Sequence, residues 1–253
     1  MTHPARLFFL LLGLLAPAFA RAQTAVVNLT FDNSDNRLEQ TGSAGTTFSY
    51  HTGTVTFETG VGSGTAAVFD GATSLQASGT PLTTALTVSL WLKTTSTAGS
   101  GPQWYYGNGL VDGELGGDTT DWGISQIDSR VAFGIGSSDT TIFSISSVNT
   151  GNWIHVAATW DTSGTMNLYL NGNLEASTGG TSSDPRDTSN PFFVGQDSNG
   201  TFYTGSLDGI QIYDSALSGG QIAALAAVPE PAVGAIILGV FVLGLAGLRQ
   251  RRT

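Results

Sequence analysis

Between Gln23 and Ala227 the chain sets short apolar bursts between clusters of Gly, Ser, Thr, Asn and Asp. Turn residues recurring about every eight to twelve positions predict antiparallel strands. The plainest case is Met166-Asn167-Leu168-Tyr169-Leu170, where apolar and polar positions alternate as in a half-buried strand. The run 153–160 precedes it across the turn residues Asp161-Thr162-Ser163-Gly164. Asn171-Gly172 supplies the two positive-φ positions of a type I′ turn and leads into 174–177, which completes a three-stranded meander. Further strands are predicted at 25–31, 66–69, 87–93, 122–127, 131–135, 141–145, 191–194 and 206–213. So many short strands in one stretch predict an all-β, two-sheet antiparallel sandwich of the jelly-roll kind. One short helix is predicted at 218–225, capped by Ser218, with Ile222, Leu225 and Leu217 on its apolar face.

The two ends follow other patterns. His3 and Arg6 precede an unbroken apolar run from Leu7 to Leu15 and then the small residues Ala18, Ala20 and Ala22. This is the layout of a secretory signal peptide, with a cut after Ala20 or, preferably, after Ala22. The apolar run makes only about 14 Å of helix, too short to span a bilayer. At the other end Ala232–Leu248 carries no charge, and Arg249, Arg251 and Arg252 follow it. That segment reads as a transmembrane helix with its arginines on the cytoplasmic side and the 23–227 domain outside.

Charge narrows the function classes. The domain holds 18 Asp and Glu against the four basic residues Arg37, Lys93, Arg130 and Arg186. Nucleic-acid recognition needs Lys and Arg facing phosphates, so nucleic acid is excluded as a partner, and an anionic membrane surface with it. The absence of cysteine removes thiol catalysis, zinc-thiolate sites and iron–sulfur clusters. The acidity offers hard oxygen ligands for calcium.

Four phrases, in order, resemble the laminin-G-like branch of the concanavalin A-like jelly rolls. They are Ala67-Val68-Phe69-Asp70-Gly71, the strand Leu86–Lys93 with Ser89 and Trp91, the strand around Trp153, His155, Val156 and Ala157, and the closing run from Gly205 to Ser218. The tail resembles a second element, the PEP-CTERM sorting signal, in Pro229-Glu230-Pro231, the apolar segment and the arginine cluster. That resemblance implies an exosortase-type membrane protease as partner, acting at an extended Pro-Glu-Pro just outside the inner membrane. The chain is then membrane-anchored before processing and cell-surface or extracellular, in a biofilm matrix, afterwards.

Candidate chemistry is sparse. Related jelly rolls that cleave β-glucans carry a Glu-x-Asp-x-x-Glu strand, and none of Glu39, Glu58, Glu114 or Glu175 has that spacing. No G-x-S-x-G elbow is present, and His155 reads as a structural histidine. The resemblance implies a loop calcium site, with Asp32 and Asp208 the first choice because first and last strands of such sandwiches lie side by side. Asp112, Glu114, Asp118 and Asp121 are the second choice; solvated loop carboxylates are the alternative for both sets. Trp104-Tyr105-Tyr106, in a Gly-rich segment, either stack on sugar or fold back over the sandwich edge. The sequence therefore points to a non-catalytic module, binding extracellular polysaccharide or another matrix component. A structural or adhesive matrix protein is the alternative, and a glycoside hydrolase or lyase ranks below it.

Overall fold

A computed structural model of the chain describes residues 23–79, 85–114, 120–136, 139–181 and 190–227. The segment expected to be an export signal (1–22), Asp118, Arg186 and the segment expected to be a sorting tail (228–253) lie outside these residues. Among the described residues no helix is long and apolar enough to cross a membrane.

The described residues form two antiparallel sheets packed face to face. The first, sheet A, has eight strands. Its centre is Leu86–Lys93 (β6) beside the closing strand Thr204–Tyr213 (β15). On one side follow Ile154–Trp160 (β11), Met166–Leu170 (β12) and Asn173–Thr178 (β13), the meander expected from the alternation. Asn171 and Gly172 have φ of 49° and 78°, as a type I′ turn demands. On the other side β15 is shared between Thr65–Asp70 (β4), which pairs with 204–207, and Val27–Leu29 (β1), which pairs with 210–212. Thr56–Thr59 (β3) completes this sheet beside β4.

Sheet B has seven strands in the order Thr140–Phe143 (β10), Arg130–Ile135 (β9), Trp122–Ile127 (β8), Asn108–Asp112 (β7), Phe192–Val194 (β14), Ser74–Ala77 (β5) and Phe48–Thr52 (β2). The core lies between the sheets: Val88, Leu90 and Leu92 of β6 and Leu207, Ile210 and Ile212 of β15 face Ile124, Phe133, Ile135, Leu75 and Val194. Burying each such side chain contributes about 1.5–3 kcal/mol. Outside sheet A, the helix Gly219–Leu225 (α1) lays Ile222 and Leu225 over Ala157, Tyr169 and Tyr213. Ser218 and Gln221 form a capping box at its start.

Four strands escape the sequence pattern: β2, β3, β5 and β7. The miss at β7 matters most. Asn108-Gly109 and Asp112-Gly113 read as turn signals, yet β7 runs through the middle of sheet B. Gly109 is there for close approach, since a Cβ would strike the backbone of Gln196. Asp112 is accordingly a fully buried strand residue, which corrects its expected place in a solvated loop.

Candidate functional site

Asp32 and Asp208 come together around one loop, as their expected pairing requires. β15 carries a bulge after Asp208, where Gly209 has a φ of 55° and the strand passes from its β4 neighbour to its β1 neighbour. Asp208 Oδ2 accepts from the Val61 N–H at 2.8 Å and Oδ1 from the Gly209 N–H at 2.7 Å. Asp32, just past β1, accepts from the Thr65 N–H at 2.7 Å. Both carboxylates thus grip residues 60–65 between β3 and β4. Glycine is needed at both contact points: a Cβ on Gly64 would stand 2.7 Å from Asp32 Oδ1, and one on Gly60 would strike Asp208. Burial pushes the Asp208 carboxyl up to about 6, and the charge of Asp32 adds to the rise. A cation between them would relieve both effects. Calcium takes about 6–8 oxygens, so this pair fits it only when backbone carbonyls and water complete the shell. Among the described residues no three or more carboxylates and histidines are grouped to hold a metal.

The other candidate residues meet on the outer face of sheet B. Trp104, Tyr105 and Tyr106 form a single 3-10 turn. The indole of Trp104 is fully buried, lying flat over Gly134 and beside Gly123, where a side chain at either position would collide with it. Ser125 Oγ donates to Trp104 O at 2.6 Å, and Trp104 N donates to Thr141 Oγ1 at 3.2 Å, fixing the turn to β8 and β10. Tyr105 packs edge-on against Trp104 at 5.0 Å, and Tyr106 follows at 4.8 Å with 50% of its surface exposed. The expected alternatives therefore divide within the triple. Trp104 folds back as a cover and has no free face for a sugar, which corrects its place among the stacking rings; Tyr105 and Tyr106 extend outward from it.

Beside this turn sit the acidic residues of the second expected set. Asp112 Oδ1 accepts from the Glu114 N–H at 2.9 Å, while Oδ2 has no partner. Burial holds the Asp112 carboxyl well above the usual carboxylate range, and the charges of Glu114, Asp197 and Asp121 raise it further. Glu114 is raised by burial and by Asp197 and Asp139, and its Oε2 accepts from Ser198 Oγ and, at 3.3 Å, from Asn199 Nδ2. The Tyr105 hydroxyl is raised by burial and by Asp139. Asp197, fully buried, accepts from the Thr201 N–H at 2.5 Å through Oδ1 and has no partner on Oδ2. Sequence reasoning missed Asp197, Ser198 and Asn199. Their turn-like Asp-Ser-Asn-Gly run was visible, but nothing local ties it to Glu114, more than eighty residues earlier.

His155 is structural, as expected. Its Nε2 meets Ser89 Oγ at 2.8 Å, its ring lies edge-on to Trp91 at 5.1 Å, and burial lowers it to about 4. A triad would hand Nδ1 to a carboxylate, whereas this Nδ1 has no partner.

The Laminin_G_3 profile, described as the concanavalin A-like lectin/glucanases superfamily, matches residues 69–223. Among solved structures, domain 4 of AbnA, a GH43 extracellular arabinanase from Geobacillus stearothermophilus, in complex with arabinotriose, is similar at a TM-score of 0.62 and 21% identity, over 81% of this chain and 98% of that one. The binding domain of botulinum neurotoxin serotype G gives 0.59 at 16% identity, over 80% of this chain and 50% of its own. That of Paraclostridial Mosquitocidal Protein 1 gives 0.60 at 16%, over 80% and 52%. The chain thus spans about half the length of those toxin domains. No curated protein matches it. At these identities the structural likeness shows the fold, and the profile match shows the family: the chain belongs to the Laminin_G_3 family of the concanavalin A-like lectin/glucanase superfamily.

Proposed function

We propose that the chain is an exported, non-catalytic binding module for an extracellular glycan. The observation that carries this reading is the aromatic step on sheet B, where exposed Tyr106 leans on Tyr105 and Tyr105 is braced by buried Trp104. Rings held in this way offer apolar area to a sugar face while losing little conformational freedom on binding. The arabinanase domain, solved with arabinotriose, gives the same fold a glycan-binding precedent. Tyr106→Ala is expected to abolish retention on a polysaccharide column with the melting temperature unchanged; unchanged retention would sink the reading. A glycan array separates it from an adhesive matrix protein, which has no saturable ligand.

One observation favours a glycoside hydrolase or lyase as the second reading: Asp112, Glu114 and Asp197 gather although no Glu-x-Asp-x-x-Glu strand exists. Against it, Asp112 is closed to solvent. Release of reducing ends from neutral polysaccharide decides between the two.

Calcium is part of the same proposal, as a structural ion held by Asp32 and Asp208. Millimolar calcium is expected to raise the melting temperature, more at pH 7 than at pH 5, because Asp208 must lose its proton to bind the ion. No shift at either pH removes the ion from the proposal. The route to the surface runs through the inner membrane to an exosortase-type protease acting at Pro229-Glu230-Pro231. Mass spectrometry of the mature chain tests it by reporting both new ends.

A further inference from the structure

Around the end of β6, the outer face of sheet A carries aromatic and charged side chains that the core does not use. Val88, Leu90 and Leu92 fill the core, so Trp91 and Lys93 point outward. Trp153 stands across from Lys93, one step beyond the Ile154–Leu92 pair of β11 and β6, and the Lys93 ammonium lies 5.0 Å over its ring. On its other side the ammonium meets Glu58 Oε1 at 2.6 Å, and Ser206 Oγ donates to the same oxygen at 2.6 Å. Both bonds end on Oε1, which leaves Oε2 as a further acceptor. Trp91 covers the bulge at Gly209, where a Cβ would stand 3.4 Å from its ring. Both indoles and the ion pair are partly open to solvent.

Beside Lys93 opens a cavity of about 270 Å³, walled by Thr95, Ser96, Gly151, Thr204 and Gly205. Thr94 ties these walls together, donating from Oγ1 to Thr204 O at 2.7 Å and accepting from the Gly151 N–H at 2.8 Å on its carbonyl. Thr95 and Thr204 are exposed at the rim. Pockets for drug-sized ligands run from about 300 to 1,000 Å³, so this one suits a single ring and not a length of chain.

These groups define the ligand. Lys93 donates and Glu58 accepts, so two adjacent hydroxyls can bond both members of the pair, and the wall hydroxyls do either. A uronate or sulfate would have to take Lys93 from Glu58 within a strongly acidic domain. A cation would have to take Glu58 from Lys93. A neutral sugar disturbs neither, and the indoles offer apolar area to its C–H face. Glu58 and Trp153 already hold Lys93 in place, so binding has little left to order.

Resting on the glycan-binding reading above, but on different residues, we propose that this face is a second saccharide subsite. It takes one neutral sugar ring, at the end or a branch of a glycan, independently of Tyr105 and Tyr106.

The test follows the indole N–H resonances of the chain's five tryptophans, with Trp91 and Trp153 assigned by Trp91→Phe and Trp153→Phe. Arabinotriose, cellotriose and mannotriose serve as neutral probes and trigalacturonate as the anionic one. A neutral probe is expected to move the Trp153 resonance, in the Tyr106→Ala chain as in the unaltered one, and trigalacturonate to leave it in place. Thr95→Trp, which fills the cavity from its exposed rim, is expected to weaken this binding by about tenfold or more. A Trp153 shift that vanishes in Tyr106→Ala, an affinity unchanged by Thr95→Trp, or an equal shift with trigalacturonate overturns the proposal while the glycan reading stands. So does retention that depends on Tyr106 with neither Trp91 nor Trp153 moved. Binding of none of the four probes, with no retention on polysaccharide, overturns both. The Trp153 resonance of the unaltered and Tyr106→Ala chains decides the matter even if Thr95→Trp fails to fold.

Discussion

The outer faces of the two sheets use their polar residues differently. On sheet A most of these groups are engaged within the fold: His155 Nε2 with Ser89, Lys93 with Glu58 at 2.6 Å, and Asp208 with two backbone N–H groups, while His155 Nδ1 lacks a partner. The helix α1 covers part of the remaining surface with Ile222 and Leu225. On sheet B the described residues place a three-residue turn as a cover, and beside it two carboxylate oxygens and an indole N–H lack partners. Two faces built by the same alternation thus diverge, one covered by a helix and tied by pairs across its strands, the other gathering buried carboxylates that oppose one another's charge.

The strongest way to break this contrast is Trp104→Ala. Loss of the indole over Gly134 is expected to destabilise the fold by about 3–5 kcal/mol, read as a fall in melting temperature. A loss below about 1 kcal/mol would mean that the turn is not the cover of sheet B. Acid acts next, through sheet A. The His155 pKa falls from 6.5 to about 4 in the fold, so the unfolded chain takes up the proton first. Stability is full above pH 6.5 and drains as pH falls towards 4, by about 3 kcal/mol at 1.36 kcal/mol per unit. Asp208 works in the opposite sense, its share being lost as pH rises through about 6. Melting curves of His155→Gln and Asp208→Asn across this range separate the two contributions. The smallest expected effect has the opposite sign. Asp112→Asn removes a buried carboxyl held well above its usual range, and a gain of about 0.5–2 kcal/mol at pH 7 is expected, read as a rise in melting temperature. A loss of stability would show that Asp112 serves the fold.

The meander, the closing strand and the Ser218 cap were legible because each rests on local chemistry: a two-residue period, an Asn-Gly turn, a capping box. Asp32 and Asp208 were legible as a pair because first and last strands commonly adjoin, and β1 does lie on β15. The sheet B cluster was only half legible. Asp112 and Glu114 are neighbours in sequence, but Asp197 reaches them through β14, a three-residue strand pairing with β7 by two register positions. The glycines at 109 and 113 disguised β7 as a turn, since a glycine needed for close approach looks the same in sequence as one needed for a bend.

The place of β15 has a consequence for the order in which the chain can fold. Among the described residues it is the last strand to be synthesised, yet it stands in the interior of sheet A, touching β6 on one side and both β4 and β1 on the other. Until 204–213 emerges, β1 and β4 lack their shared neighbour and β6 has lost one of its two. Contacts between such distant parts of a chain form slowly. A nascent chain therefore stays unfinished until residues 204–213 have emerged and taken their place between β6, β4 and β1.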